Sequence, residues 1–255
     1  MSTSNLKLYS NWISTCSFRV RIGLNLKGYS SFLQFSYHLC YLGDEFLELL
    51  LAHIYLLMAS KGLSYDYIPI NLVKGEQFSD EFTKLNPIGY LPVLVDGEFV
   101  VSDSFAILMY LEEKYPQHSL LPNDPQKRAI NYQAASILSS SMQPFQNMGT
   151  LKYIHEKIGP DETHNWVKYH LERGFTALEK LLKNYAGRYA TGDEAYLADL
   201  FLAPQIYAAL KNFNLGLAEF PLLLRLHEAY SDHPAFQDAM PEKQPDSPPS
   251  ITTAT

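Results

Sequence analysis

The chain has 255 residues, of which 47% are hydrophobic, so it is long enough to bury a sizeable core. Its formal net charge of −7 at pH 7 argues against a nucleic-acid surface, and its two cysteines, Cys16 and Cys40, exclude a disulfide framework. The N-terminus lacks the layout of a secretory signal, so we expect a soluble cytoplasmic protein with no membrane partner.

The first predicted elements are a short strand, Leu6–Tyr9, and a helix that begins near Ser14-Thr15-Cys16. The first N–H groups of a helix have no partner within the helix, and the helix dipole favours negative charge there. These three side chains therefore stand where a protein can hold a thiolate or another anion. A helix cap without any ligand is the alternative role of the same hydroxyls.

The helix itself is predicted from apolar residues at helical spacing, Phe18, Ile22 and Leu26, which form its buried face. The basic residues of the same segment are expected to point away from this face: Arg19, Arg21 and Lys27.

Two later motifs suggest further parts of a site. Pro92 stands where a strand begins, and because proline cannot donate to a strand ladder, it predicts an edge, a bend or a cis bond that leaves the backbone of Leu91 free. Phe99–Val101 is predicted to be a strand. The helix after it carries polar residues at its N-terminus: Ser102, Asp103 and Ser104. Together with the first motif, these places form a site for an extended, anionic, thiol-bearing peptide.

Strand and helix alternate up to about Tyr115, and only helix-length segments follow the turn-rich linker after it. The predicted helical segments are 127–158, 163–185, 197–212 and 221–231. The pattern therefore indicates an α/β domain at 1–117 and a helical bundle at 118–240. The end of the chain, 241–255, is rich in Pro, Ser and Thr and is predicted to be a disordered tail.

These motifs resemble the zeta class of glutathione transferases. The Ser-Ser-Cys signature of that class appears as Ser14-Thr15-Cys16 and is followed by Arg19-Val20-Arg21-Ile22. Other matching segments are Pro69–Leu72, Gly75–Phe78, Leu85–Pro87, Gln143–Asn147, Gly192–Glu194 and Ala198–Leu200. The resemblance implies the glutathione transferase architecture, an α/β thioredoxin-like N-terminal domain plus an all-α C-terminal helical domain, with a substrate cleft between them.

The resemblance also implies an activity. Zeta-class members include glutathione-dependent isomerases of tyrosine and phenylalanine catabolism, which convert maleylacetoacetate, a dicarboxylic diketone, into fumarylacetoacetate. Glutathione is then a cofactor, because its thiolate adds to the conjugated carbon, permits rotation and is expelled. The resemblance also implies glutathione transferase activity and a homodimer. The alternatives are a non-enzymatic protein that binds ligands or partners, and a thiol-dependent oxidoreductase that uses Cys16.

Site residues follow from the resemblance position by position. Ser14 would stabilise the thiolate of glutathione, and Cys16 occupies the thiol position of the signature, so both are predicted catalytic residues. Arg19 and Lys211 would bind the carboxylates of the substrate. The predicted glutathione contacts are Ser14, Thr15, Cys16, Ser17, Phe18, Arg19, Gln77, Leu91, Asp103, Ser104, Gln143, Asn147, Met148 and Gly149. No metal site is predicted.

One block departs from the family pattern. Removal of residues 28–61 joins Lys27 to Gly62 and restores the pattern. A membrane span is disfavoured, because Leu49–Ser60 is shorter than the about 20 residues needed. The block is either a partner-binding helix at Asp44–Met58 or a retained non-coding segment, which would make a non-functional isoform. We expect the core fold to survive with the block as a protruding helical excursion.

Overall fold

The computed structural model describes residues 6–28, 30–31 and 64–248. These residues divide into two units. The first contains the chain up to His118 and also the chain from Asp238 on, and the second is Ser119–Gln237. The division after His118 lies next to the predicted boundary at 117. The return of the chain end to the first unit was not predicted.

The first unit is built on a sheet whose described strands have the order β2-β3-β1-β4-β5. The strands are β1 (Leu6–Ser10), β2 (Ser30–Ser31), β3 (Ser64–Pro69), β4 (Val93–Asp96) and β5 (Phe99–Ser102). β1 pairs in parallel with β3 and antiparallel with β4, and β4 pairs antiparallel with β5. A parallel pair needs a crossover connection, and the connection from β1 to β3 includes the first helix.

The helices in the described part of this unit are α1 (Thr15–Leu26), α2 (Asp80–Thr83) and α3 (Ser104–Lys114). α1 and α3 pack against each other. Side chains alternate along β1, with Leu6 and Leu8 buried, as a strand with one face on the core requires.

The prediction for the basic residues of α1 is wrong. Phe18 and Ile22 are buried as predicted, and Leu26 is only half-buried. The three basic residues of this segment, Arg19, Arg21 and Lys27, do not point away from the core. At most 1% of the surface of each residue is exposed. The physical reason is that each cation has hydrogen-bond acceptors from distant segments around it, which makes burial of the charge possible.

The block at 28–61 lies almost wholly outside the described residues. Its described residues include Ser30 and Ser31, which pair in parallel with Ser64 and Tyr65. β3 begins at Ser64, close to the start predicted at Tyr65. The prediction of a protruding helical excursion is therefore wrong at Ser30 and Ser31, because their backbones pair with β3 in the sheet. The rest of the predicted excursion, including the helix at 44–58, falls outside the described residues and stays a prediction.

The second unit is helical, as predicted. Its helices are α4 (Pro125–Ser140), α5 (Met148–Lys157), α6 (Pro160–Leu182), α7 (Leu197–Asn212), α8 (Pro221–Ser231) and α9 (Pro234–Asp238), of which α9 ends at the boundary with the first unit. The segment predicted at 127–158 is divided between α4 and α5 by a 3₁₀ turn, Gln143–Gln146. Pro144 lies in that turn, where it cannot continue an α-helix. Within the described part of the chain, no helix has both the length and the apolar character needed to cross a membrane.

Asp199 joins three elements of the second unit at the start of α7. Its carboxylate accepts hydrogen bonds from Ala190 N at 2.8 Å, from Tyr196 N at 2.9 Å and from the Tyr230 hydroxyl at 2.7 Å. The side chain has no exposed surface. Burial raises the pKa of Asp199 to about 6, although these donors oppose the shift.

This pKa predicts a pH dependence of stability. In the unfolded chain the carboxyl loses its proton near pH 3.8, whereas in the folded protein it keeps it up to about pH 6, so its contribution to the free energy of unfolding should fall as the pH rises between these values. Asp199→Asn should lack this component, while an amide that cannot accept every bond makes it less stable overall. Urea unfolding of both proteins across this pH range measures the difference. Identical pH profiles would contradict the prediction.

The first part of the predicted disordered tail is ordered in the structure. Pro241–Lys243 forms a 3₁₀ turn, and Gln244 is 4% exposed and donates to the carbonyl oxygens of Asp238 and Met240. The prediction of disorder is therefore wrong for 241–248, because specific hydrogen bonds compensate for a composition poor in apolar residues. Residues 249–255 lie outside the described part of the chain.

Candidate active site

Ser14 is the N-cap of α1. Its Oγ accepts a hydrogen bond from Ser17 N at 3.2 Å, and its carbonyl oxygen accepts from Phe18 N at 2.9 Å. Because the Oγ acts as an acceptor in the cap, the hydroxyl proton remains for a ligand at the helix N-terminus. Among the predicted contact residues of α1, Thr15 and Cys16 are half-buried, whereas Ser17 and Phe18 are buried.

Arg19 connects the N-termini of two helices. Its Nη1 lies 3.6 Å from Cys16 Sγ in α1 and 3.3 Å from Ser104 Oγ in α3. Burial lowers the pKa of Arg19, and the nearby Cys16 and Asp103 oppose the shift. With 1% of the residue exposed, the guanidinium has little surface to offer to a substrate carboxylate. The structure thus places Arg19 beneath the predicted anion site rather than on its surface.

The start of α3 has an unusual backbone. Asp103 is the N-cap of this helix, with φ 76°, and its Oδ1 accepts from Phe105 N at 2.9 Å and Ala106 N at 3.0 Å. A residue other than glycine is strained at positive φ, and such strain persists where the surroundings impose it, often at ligand sites. Asp103 and Ser104 are therefore held in place, with the N-terminal peptide of α3 beside them.

The bond Leu91–Pro92 is cis, which is one of the predicted alternatives. The backbone N–H and the carbonyl oxygen of Leu91 have no hydrogen bond to another described residue. In the 3₁₀ turn Glu76–Phe78, Gln77 Oε1 is buried and also lacks a hydrogen-bond partner among the described residues. Buried acceptors are nearly always satisfied, so this atom and the Leu91 peptide fit an additional group with backbone-like polar atoms.

The remaining predicted residues belong to the second unit. Asn147 is the N-cap of α5 and accepts from Gly149 N at 2.9 Å, and Met148 between them is 59% exposed. Gln143 begins the preceding 3₁₀ turn. Lys211 is exposed in the last turn of α7, so of the two predicted substrate cations it is the one on the surface. Its part in a common site with α1 stays a prediction.

The turn that connects β1 to α1 was not predicted from the sequence. Ser14 N donates to the carbonyl oxygen of Asn11, and Ile13 N donates to Asn11 Oδ1, both at 3.2 Å. Asparagine favours such turns, so its position after a strand was the available signal. Arg21 and Asp246 also bind this turn, and no local pattern marks either residue for that role.

Comparisons with known proteins agree with this geometry. Family models described as "Glutathione S-transferase, N-terminal domain" and "Glutathione S-transferase, C-terminal domain" match residues 46–113 and 146–238. A relative from Euphorbia esula named "Glutathione S-transferase zeta class" is 59% identical over 242 residues, which is 95% of this chain and 92% of that protein. A "Maleylacetoacetate isomerase" of Rattus norvegicus is 37% identical over 248 residues, 96% of this chain and 97% of that protein.

Solved structures give the same result. One is a maleylacetoacetate isomerase from Anaeromyxobacter dehalogenans 2CP-1, described with bound GSH in the active site. It superposes on this chain with a TM-score of 0.77 at 34% sequence identity, and the match covers 97% of this chain and 100% of that chain. The holo structure of a maleyl pyruvate isomerase, described as a bacterial glutathione-s-transferase in the zeta class, has a TM-score of 0.78 at 33% identity, with 95% and 100% coverage.

Proposed function

Because the chain belongs to the glutathione S-transferase family, with zeta-class relatives that match nearly its whole length, we propose that it is a glutathione-dependent isomerase that converts maleylacetoacetate into fumarylacetoacetate. The observation that carries this proposal is the arrangement at the N-terminus of α1. There a half-buried Ser14 caps the helix, and Cys16, Arg19 and Ser104 connect this end of α1 to the N-terminus of α3. The arrangement suits a ligand with a thiolate and carboxylates.

The residues of the first unit fit glutathione, an extended peptide with one thiol and two carboxylates. Glutathione supplies the thiolate that adds reversibly to the conjugated double bond. Ser14 would donate its hydroxyl proton to the sulfur, and the N-terminus of α1 would lower the pKa of the thiol. The N-terminus of α3, at Asp103 and Ser104, would receive a carboxylate, and the backbone N–H and carbonyl oxygen of Leu91 would pair with the cysteinyl unit. Gln77 Oε1 would accept from the bound peptide.

Residues of the second unit would bind the diketone. Lys211 carries an exposed ammonium group, and the start of α5 presents Met148 and the capped peptide of Gly149. A lysine keeps the positive charge that a substrate carboxylate needs but lacks the two-pronged geometry of arginine. Arg19 would act indirectly, because it is itself buried and contacts Ser104 and Cys16 within the first unit.

The direct test is isomerisation of maleylacetoacetate by the full chain, with and without glutathione, beside a variant that lacks residues 28–61. Turnover that requires glutathione is expected, with the shorter variant at least as active and more soluble, because the apolar block has no place in the family pattern. Higher activity of the full chain would identify the block as a functional element. Glutathione-independent binding of an apolar probe, without turnover in either protein, would instead support a ligand-binding protein.

We also propose a homodimer and a cytoplasmic location. β5 is the outer described strand on its side of the sheet, and Phe99 and Val100 on it are 49% and 38% exposed, an apolar surface that a second copy would cover. A chain with two cysteines and no disulfide framework suits a reducing compartment. Light scattering of the purified chain tests the dimer, and cell fractionation tests the location.

Cys16 should modulate the site without being the nucleophile, because the attacking sulfur belongs to glutathione. Cys16→Ala should therefore retain glutathione-dependent isomerisation while its kinetic constants change, since Arg19 loses its 3.6 Å contact with Sγ. Steady-state kinetics of Cys16→Ala and Cys16→Ser measure the effect. Complete loss of activity in a folded protein, or a covalent adduct on Cys16 trapped during turnover, would contradict it.

A further inference from the structure

The turn Asn11–Ser14 is held by several polar contacts. Within the turn, Asn11 accepts from the N–H groups of Ile13 and Ser14. The Asn11 side chain also donates to Ile70 O at 2.9 Å, just beyond the end of β3. These bonds set the path of the chain from β1 to the N-cap of α1.

Two charged side chains bind the backbone of this turn. Arg21 donates to the carbonyl oxygens of Asn11 at 3.2 Å and Trp12 at 3.3 Å. Asp246 accepts from Trp12 N at 3.0 Å and from the Asn11 side chain at 3.4 Å. Arg21 belongs to α1 itself, whereas Asp246 reaches the turn from the far end of the chain. The cationic Arg21 thus binds the two carbonyl oxygens of the turn, and the anionic Asp246 binds the N–H group of Trp12.

Asp246 is itself fixed on the first unit. Its second oxygen, Oδ1, accepts from the Tyr67 hydroxyl of β3 at 2.7 Å. Tyr67 is 2% exposed, and burial raises its pKa well above the usual range, so the hydroxyl keeps the proton that it donates. A second attachment of the same segment is the bond from Arg21 Nε to Ala239 O at 3.1 Å. The chain end, Asp238–Pro248, is therefore attached at two places near the turn.

We propose that Asp246 is a positioning residue for Ser14: by holding the N–H of Trp12, the C-terminal segment Asp238–Pro248 sets the turn that places the Ser14 hydroxyl at the N-terminus of α1. This inference deepens the proposed function and rests on it where Ser14 is taken to act on the thiol of glutathione. A small displacement of a hydrogen-bonding group weakens its effect on a reacting atom, and a 1 Å displacement can cost about 10²-fold in rate. Loss of one support should cost less, on the order of tenfold in kcat.

The test compares three variants. Asp246→Ala removes the acceptor for Trp12, and Asp246→Asn keeps one acceptor oxygen for it. Asp238→Ala is the matched control, because Asp238 lies on the same segment but forms an exposed ion pair with Lys243 at 3.2 Å. The readouts are amide hydrogen exchange at Trp12 and Ser14, and the pH at which the thiol of bound glutathione ionises, followed by its ultraviolet absorbance.

For Asp246→Ala we expect faster exchange at Trp12, a higher pKa of the bound thiol and a lower kcat with little change in KM for the diketone. Asp246→Asn should recover most of each difference, and Asp238→Ala should match the unaltered protein. Slow exchange at Trp12 and an unchanged thiol pKa in Asp246→Ala, with only a lower melting temperature, would overturn the inference and leave Asp246 as an anchor of the chain end.

Two further measurements apply if a variant does not fold or if the chain does not bind glutathione. If Asp246→Ala fails to fold, Tyr67→Phe decides, because it removes one bond to Asp246 and should raise the exchange rate at Trp12 in a folded protein. An unchanged exchange rate at Trp12 in Tyr67→Phe would then overturn the inference. If the unaltered chain fails to bind glutathione, the proposed function fails. The exchange rates at Trp12 and Ser14 then decide by themselves whether Asp246 holds the turn.

Discussion

Replacement of Ser14 by alanine should lower the rate of glutathione-dependent isomerisation about 10²–10³-fold, by analogy with the loss of one preorganised donor to a developing anion. The hydroxyl proton of Ser14 is available at the N-terminus of α1, because its oxygen already accepts from Ser17 N. Without this donor the bound thiol should have a higher pKa and a smaller thiolate fraction at neutral pH. The measurements are kcat against pH and the absorbance of the bound thiolate.

The control for Ser14→Ala is Ser79→Ala. Ser79 is the N-cap of α2, and its Oγ accepts from Phe82 N at 3.3 Å, so both variants lose a helix cap worth about 1 kcal/mol of stability. Only Ser14→Ala should lose activity. Full turnover in Ser14→Ala, or an equal loss in Ser79→Ala, would refute the role of the hydroxyl and reduce Ser14 to a cap.

The second large effect concerns Lys27, at the end of α1. Lys27→Met should lower the free energy of unfolding by about 3–5 kcal/mol, because removal of one partner leaves a partly buried charge unpaired. Lys27 Nζ donates to Glu112 Oε2 at 2.9 Å and to Tyr115 O at 2.7 Å, and its side chain has no exposed surface. The residue thereby ties the end of α1 to the end of α3. Urea denaturation measures the change.

A matched variant separates burial from charge. Lys168→Met removes a lysine whose partner Glu172 lies 3.8 Å away on the same helix, with side chains that are 52% and 40% exposed, and should cost less than about 1 kcal/mol. The double variant Lys27→Met with Glu112→Leu should regain part of the loss, because an apolar pair removes the unpaired charge. A cost below about 1 kcal/mol for Lys27→Met would contradict the prediction.

Local sequence patterns predicted the elements that carry their own signals. The helices Leu197–Asn212 and Pro221–Ser231 have the predicted bounds, because apolar periodicity and terminal residues act within a few turns. The N-terminus of α1 at Ser14 follows from the same kind of local chemistry, whereas the residues around Pro92 left an edge, a bend and a cis bond as alternatives, of which the structure has the cis bond. The family motif then predicted which of these places form a glutathione site.

The sequence by itself thus determined the change from alternating strands and helices to helices alone, the capped N-terminus of α1 and the family, since each depends on local patterns along the chain. Only the tertiary structure decided the burial of Arg21 and Lys27, because their acceptors lie on segments far away in sequence. It alone decided that Asp246 holds Trp12, a contact between the two ends of the chain. A local pattern carries no record of such a contact, since the free energy of a buried charge depends on the partners that the fold brings to it.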